Sequence, residues 1–177
     1  MSHAGALQNW QRVRALAPDS AGIPLGRVRA DESGVQGSRS FRELDVYALA
    51  VEFRREIVRL TSRAPVCRDF TFVKQIRGAA RGGPRNIAEG FSRFNPVEFR
   101  QFLSYAKASL DEAASHLQDG FESGYFDLDE HQRPMALLGR TLAAVRGLMR
   151  YLESPAAMRK YKALLAARNV SKGPTRT

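Results

Sequence analysis

The stretch from Arg77 to Leu103, RGAARGGPRNIAEGFSRFNPVEFRQFL, decides the fold, because it carries the end of one helix, a turn and the start of the next. Before the turn, Phe72, Ile76, Ala79, Ala80, Ile87 and Phe91 recur at the spacing of one helical face, while Lys74, Arg77, Arg81 and Arg85 line another. At about 100° per residue those four basic residues fall within about 80° of one another. Gly82-Gly83-Pro84 interrupts the pattern, since glycine is costly in a helix interior and proline removes a donor and crowds the preceding turn. The spacing therefore predicts a helix from about Arg68 to Arg93 with a kink rather than a stop. After it, Asn95-Pro96-Val97-Glu98 combines an N-cap residue, proline at the first helical position and a glutamate able to reach back. The helix it opens turns Phe99, Phe102, Leu103, Ala106, Leu110, Ala113 and Leu117 inward, and Gly120 or Gly124 supplies the left-handed residue that ends it.

Outward from this pair the same period continues in both directions. From Phe41 to about Thr61, the positions Val46, Ala50, Phe53, Ile57 and Leu60 fall at alternating steps of four and three, with Tyr47, Val51 and Val58 flanking the stripe. Pro65 marks the loop that follows. Downstream, Asp127 with Glu130 forms a second cap, opening a helix with Leu138, Leu142, Val145, Met149 and Leu152 inward; Pro134 is a local conflict, lying beyond its first turn. Ser154-Pro155 caps a fifth segment to about Arg168. Residues 1–40 are rich in Gly, Ser, Pro and Arg without a sustained period and read as a poorly ordered extension, followed by a bundle over 41–153 and a basic helix and tail over 154–177. Four long helices, short loops and no strand pattern predict an all-α, antiparallel up-down four-helix bundle with an additional C-terminal helix.

At 177 residues with 44% hydrophobic content, the chain suffices for one core without sulfur or metal staples. The single Cys67 cannot close an intrachain disulfide, which suits a reducing, cytoplasmic setting. No stretch approaches the roughly 20 apolar residues that span a bilayer, so no membrane association is expected. The net charge of +10 is uneven: residues 154–177 hold six basic residues and no acidic one, residues 41–90 are net basic, and residues 91–153 are slightly acidic. Localised basic surface of this kind attracts polyanions, RNA or DNA among them.

The polar groups that catalysis would bring together are scattered here, and no catalytic residue, cofactor or metal site is expected. Glu112 and His116 share a helix face, but di-iron bundles use Glu-x-x-His twice with further glutamates, so the pair reads as a surface ion pair. Gly78, Gly82, Gly83 and Gly90 suggest a phosphate loop, yet no Gly-Lys-Ser/Thr follows and no strand precedes them.

Several motifs go beyond amphipathic patterning: Arg77-x-Ala79-Ala80, Pro84-Arg85-Asn86-Ile87-Ala88-Glu89-Gly90-Phe91, Arg93, and Glu98-Phe99-x-x-Phe102-Leu103-x-x-Ala106. With Phe41-x-x-Leu44-x-Val46-Tyr47 upstream and Ser109-Leu110-x-Glu112 downstream, the chain from about Phe41 to Leu152 resembles the bacterial four-helix-bundle family encoded in intervening sequences of large-subunit ribosomal RNA genes. Gly83 and Arg85 depart from that family's usual apolar residue and serine. The resemblance implies a four-helix bundle similar to the accessory proteins of diversity-generating retroelements, which are basic pentameric barrels that bind nucleic acid and a reverse transcriptase. It thus implies a homo-oligomer with possible protein partners, in a family most of whose members have no established biochemical activity.

Physically, Asn86, Glu89, Gly90 and Arg93 share a flank on which Glu89 and Arg93 are spaced for an ion pair and Gly90 permits close helix approach, so this set serves either packing or a partner. Lys74, Arg77, Arg81 and Arg85, with Arg159, Lys160 and Lys162 of the C-terminal segment, are the candidate nucleic-acid contacts. Few aromatic residues interleave with them, which predicts little base-stacking specificity. The alternative is a protein-interaction scaffold or accessory subunit, for example of a reverse transcriptase.

Overall fold

A computed structural model describes residues 40–170, and the expected extension over 1–40 lies, but for Ser40, outside the described residues. Among the described residues there are five α-helices and no strand: α1 (Asp45–Thr61), α2 (Phe70–Ser92), α3 (Pro96–Glu122), α4 (Leu128–Glu153) and α5 (Pro155–Val170). Short 3-10 turns at Phe41–Glu43 and Val66–Arg68 precede α1 and α2, so both helices begin a few residues later than the periodicity suggests.

Local chemistry sets the boundaries. Asp69 accepts a hydrogen bond from the Phe72 amide at 2.9 Å and starts α2. Asn95 accepts from the Val97 amide at 2.9 Å, and Glu98 reaches back to the Asn95 side-chain amide at 3.0 Å rather than to the backbone. At α4 the capping box is complete, with the Glu130 amide donating to Asp127 at 2.9 Å and the Asp127 amide to Glu130 at 3.1 Å. Of the two glycines at the end of α3, Gly124 takes the left-handed conformation at φ +73°, and the Tyr125 amide closes back on the Gly120 carbonyl at 2.8 Å. Ser154 accepts from the Ala157 amide at 3.2 Å and opens α5.

The apolar faces meet as their periods require. Val46, Ala50, Phe53, Ile57 and Leu60 of α1 are buried against Ile76, Ala80 and Ile87 of α2, Leu103, Leu110 and Leu117 of α3, and Leu138 and Val145 of α4. Each fully buried aliphatic side chain contributes roughly 1.5–3 kcal/mol. Val58, which flanks the α1 stripe in sequence, is exposed instead. Backbones approach closely between α1 and α2, α2 and α3, α3 and α4, and α4 and α1, but across neither diagonal, so α2 and α4 occupy opposite corners of the bundle.

Both prolines that conflict with helix are buried inside one. Pro84 lies within α2, which runs on through Gly82-Gly83-Pro84 without a stop, and Pro134 lies within α4. Neither can donate to the carbonyl four residues earlier, so burial against the core offsets the missing hydrogen bond. No helix of the described residues is long and apolar enough to cross a membrane.

Candidate nucleic-acid interface

The basic stripe of α2 separates into residues with different tasks. Arg77 is half-buried, and its guanidinium donates to Thr61 Oγ1 at 2.7 Å and Ser62 Oγ at 2.9 Å, which ties α2 to the C-terminus of α1. A cation there meets the negative end of the α1 dipole, so Arg77 is held by the fold rather than offered to a ligand. Lys74, Arg81 and Arg85 are exposed and have no ion-pair partner among the described residues.

Lys74 and Arg85 line an open groove of about 700 Å³ along the outer seam of α2 and α3. Thr71, Gln75, Gly78 and Gly82 of α2 form its floor, Ser109 and Glu112 of α3 its other wall, and Phe70 stands at one end, 81% exposed. Gly82 is needed for the seam to close, because a Cβ there would collide with the Ser109 side chain. Gly78 is different: a Cβ there would meet nothing within 4 Å, so its bare backbone widens the groove without serving the packing.

The motif residues lie further along the same seam. A Cβ on Gly90 would come within 2.6 Å of Phe99 and 2.7 Å of Phe102, so the helices approach here as closely as a glycine permits. Arg93 pairs with Glu89 at 2.5 Å and places its guanidinium carbon 5.1 Å from the Phe102 ring centre, so one side chain links both helices. Asn86 is half-buried beside them. Gly90 and Arg93 therefore fix how α2 sits on α3.

The Lys74 end of the groove is kept apart from the C-terminal cations. Glu153 at the end of α4 pairs with Arg100 near the start of α3, so α5 departs from the end of the bundle that carries the α2–α3 turn. Lys74 lies 18 residues before the end of α2, about 27 Å away along the helix. On α5, Arg159 and Lys162 are exposed and Lys160 is half-buried.

Sequence reasoning missed Arg140, Arg146 and Arg150, which are all exposed on α4 and lead into α5. Their signal is hidden when charge is summed over 91–153, where acidic residues of α3 and of the α4 cap mask them; charge counted helix by helix reveals them. They lie on α4, the helix diagonal to α2, and so on a different helix from Lys74, Arg81 and Arg85.

Acidic partners neutralise the arginines elsewhere. Glu56 accepts from Arg59 at 2.8 Å and lies 3.7 Å from Arg133 of α4, and the Arg59 hydrogen bond holds its carboxyl below the usual range. Glu130 pairs with Arg63, which lowers its pKa in the same way. His116 lies 3.9 Å from Glu112 and 3.8 Å from Asp119, in ion-pair range but beyond hydrogen bonding.

A family model described as 23S rRNA-intervening sequence protein matches residues 42–145, more than half of the chain, and covers the first three helices and most of the fourth. No curated protein matches the chain.

Proposed function

The chain belongs to the 23S rRNA-intervening sequence protein family, and from that premise we propose that it is a non-enzymatic, homo-oligomeric bundle that binds RNA or DNA mainly through phosphate contacts. The observation that carries this reading is the contrast among its cations: Arg59, Arg63 and Arg133 sit against carboxylates, whereas Lys74, Arg81 and Arg85 stand exposed without one. Phosphate contacts require cations whose charge is not already neutralised within the protein. Arg140, Arg146 and Arg150 of α4 and Arg159 and Lys162 of α5 add further exposed cations, with Lys160 half-buried between the last two.

Repetition of the subunit around a ring, a pentamer if this chain follows the basic barrels it resembles, brings like surfaces of neighbouring copies together and multiplies weak contacts. Arg77 makes its contribution indirectly, by holding α2 on α1.

Light-scattering mass of the purified chain, alone and with mixed-sequence single-stranded RNA or duplex DNA at low and moderate salt, tests both parts. The expected result is a mass several times the subunit mass of 19.7 kDa that rises with nucleic acid at low salt and less at moderate salt. An oligomer indifferent to nucleic acid at both salts contradicts the binding reading. A second reading, a protein-interaction scaffold, is favoured by the exposed Phe94, Val97 and Tyr105 near the α2–α3 turn. An apolar contact of that kind weakens little with salt, so the same salt series separates the two.

A further inference from the structure

The groove on the α2–α3 seam has a composition that phosphate binding alone does not explain. Its α2 wall carries two cations, Lys74 and Arg85, eleven residues and so about 16 Å apart along the helix, the reach of a short run of nucleotides. Phe70, one helical turn before Lys74, is 81% exposed although it is one of the largest apolar side chains in the protein. Its neighbour Phe72 makes ring contacts with Tyr125 and Phe126, whereas Phe70 makes none among the described residues. An aromatic face that is open to solvent beside cations is the arrangement on which an unpaired base stacks while its phosphates are neutralised. Gly78, with open space where a Cβ would be, lets a flat ligand reach the backbone between them. The α3 wall differs, with Glu112 repelling phosphate and Ser109 offering a hydroxyl, so a strand entering the groove keeps its backbone on the α2 side and its base edges toward α3.

We propose that the α2–α3 groove takes a single-stranded segment of nucleic acid, with a base stacked on Phe70 and neighbouring phosphates against Lys74 and Arg85. This rests on the reading of the chain as a nucleic-acid-binding protein and names the form of nucleic acid it selects. A duplex can bring phosphates to Lys74 and Arg85, but its bases are already stacked on one another and leave no free face for Phe70. Stacking accepts any base, so the groove selects strandedness and not sequence.

Fluorescence anisotropy of the full chain tests this with a short labelled single-stranded RNA of mixed sequence and with the same strand annealed to its complement. Phe70→Ala weakens single-strand binding about five-fold or more and leaves duplex binding unchanged, while Phe70→Trp restores the single-strand affinity. Gly78→Leu fills the groove with a better helix former and without a core clash, so it weakens single-strand binding while thermal stability stays level or rises. Single-strand affinity unchanged in both Phe70→Ala and Gly78→Leu overturns the groove proposal even if the wild-type chain binds duplex, and in that case the phosphate-contact reading survives. A wild-type chain that binds neither form at low salt overturns both.

Discussion

The α2–α3 seam and the α1–α4 seam join neighbouring helices by different means. Between α2 and α3 the backbones are drawn together by missing side chains: Gly82 against Ser109, Gly83 against Leu110, and Gly90 against Phe99 and Phe102. Between α1 and α4 long charged side chains cross the surface, with Glu56 near Arg133 and, just beyond the end of α1, Arg63 on Glu130. The first seam is fixed mainly by shape, with Arg93 linking the two helices near the turn, and Lys74, Arg81 and Arg85 beside it have no ion-pair partner among the described residues. The second pairs Arg59, Arg63 and Arg133 with carboxylates. A count of basic residues cannot distinguish paired from unpaired cations, and only the unpaired ones leave charge available to a ligand.

Substitutions can break this contrast, beginning with the shape-fixed seam. Gly90→Ala should destabilise the chain by about 1–3 kcal/mol in urea unfolding even though alanine favours helix, because the new Cβ overlaps two phenylalanines. An unchanged midpoint would mean that α3 yields easily and the seam is not set by glycine. Arg77→Ala should cost ~1–2 kcal/mol by removing the bonds to Thr61 and Ser62, yet leave the affinity of the folded protein for nucleic acid nearly intact. Affinity falling as far as it does in Arg85→Ala would place Arg77 among the phosphate contacts after all.

On the charged seam, Arg59→Ala should cost no more than about 1 kcal/mol, since the Arg59 side chain is 52% exposed and its pair with Glu56 is screened by solvent. A larger loss at moderate salt would show the α1–α4 arginines acting as a network. The last substitution concerns acid pH alone. His131 is buried and stacked 4.7 Å from the Phe121 ring, and burial depresses its pKa below the ordinary 6.5. The unfolded chain therefore takes up a proton near pH 6.5 that the folded chain resists, and stability falls as the pH drops through that value. His131→Phe keeps the ring and deletes the proton, so its melting temperature should decline less than that of the wild type between about pH 7 and 5. Parallel declines would assign the acid sensitivity to the carboxylates.

The bundle was legible because its determinants are local or periodic. Asn95, Asp127 and Ser154 cap the helices that their sequences announce, and the three-and-four spacing of Phe53, Ile57 and Leu60 reports the buried face directly. Gly90 was legible too, since a glycine beside an inward helical face has few other uses. What escaped depends on partners distant in sequence. Arg77 looks like any member of a basic stripe until the end of α1, 16 residues away, is folded against it. Phe70 would be assigned to the core by its chemistry, yet the fold leaves it exposed and packs Phe72 against Phe126 instead. Pro134 conflicts with helix locally and is accommodated by burial, which no local rule reports.

The central claim is tested most directly by the salt dependence of binding. Affinity for a single-stranded RNA would be measured across a salt series for the wild type, for Arg81→Ala with Arg85→Ala, and for Arg59→Ala with Arg133→Ala. Removing one cation that neutralises a phosphate should flatten the slope of log affinity against log salt by about 0.7 for a single strand. The account predicts a flatter slope and weaker binding for the α2 pair, and a slope like the wild type's for the α1–α4 pair. Equal weakening by both pairs would contradict it, because the protein would then bind through net charge and not through the cations its fold leaves unpaired.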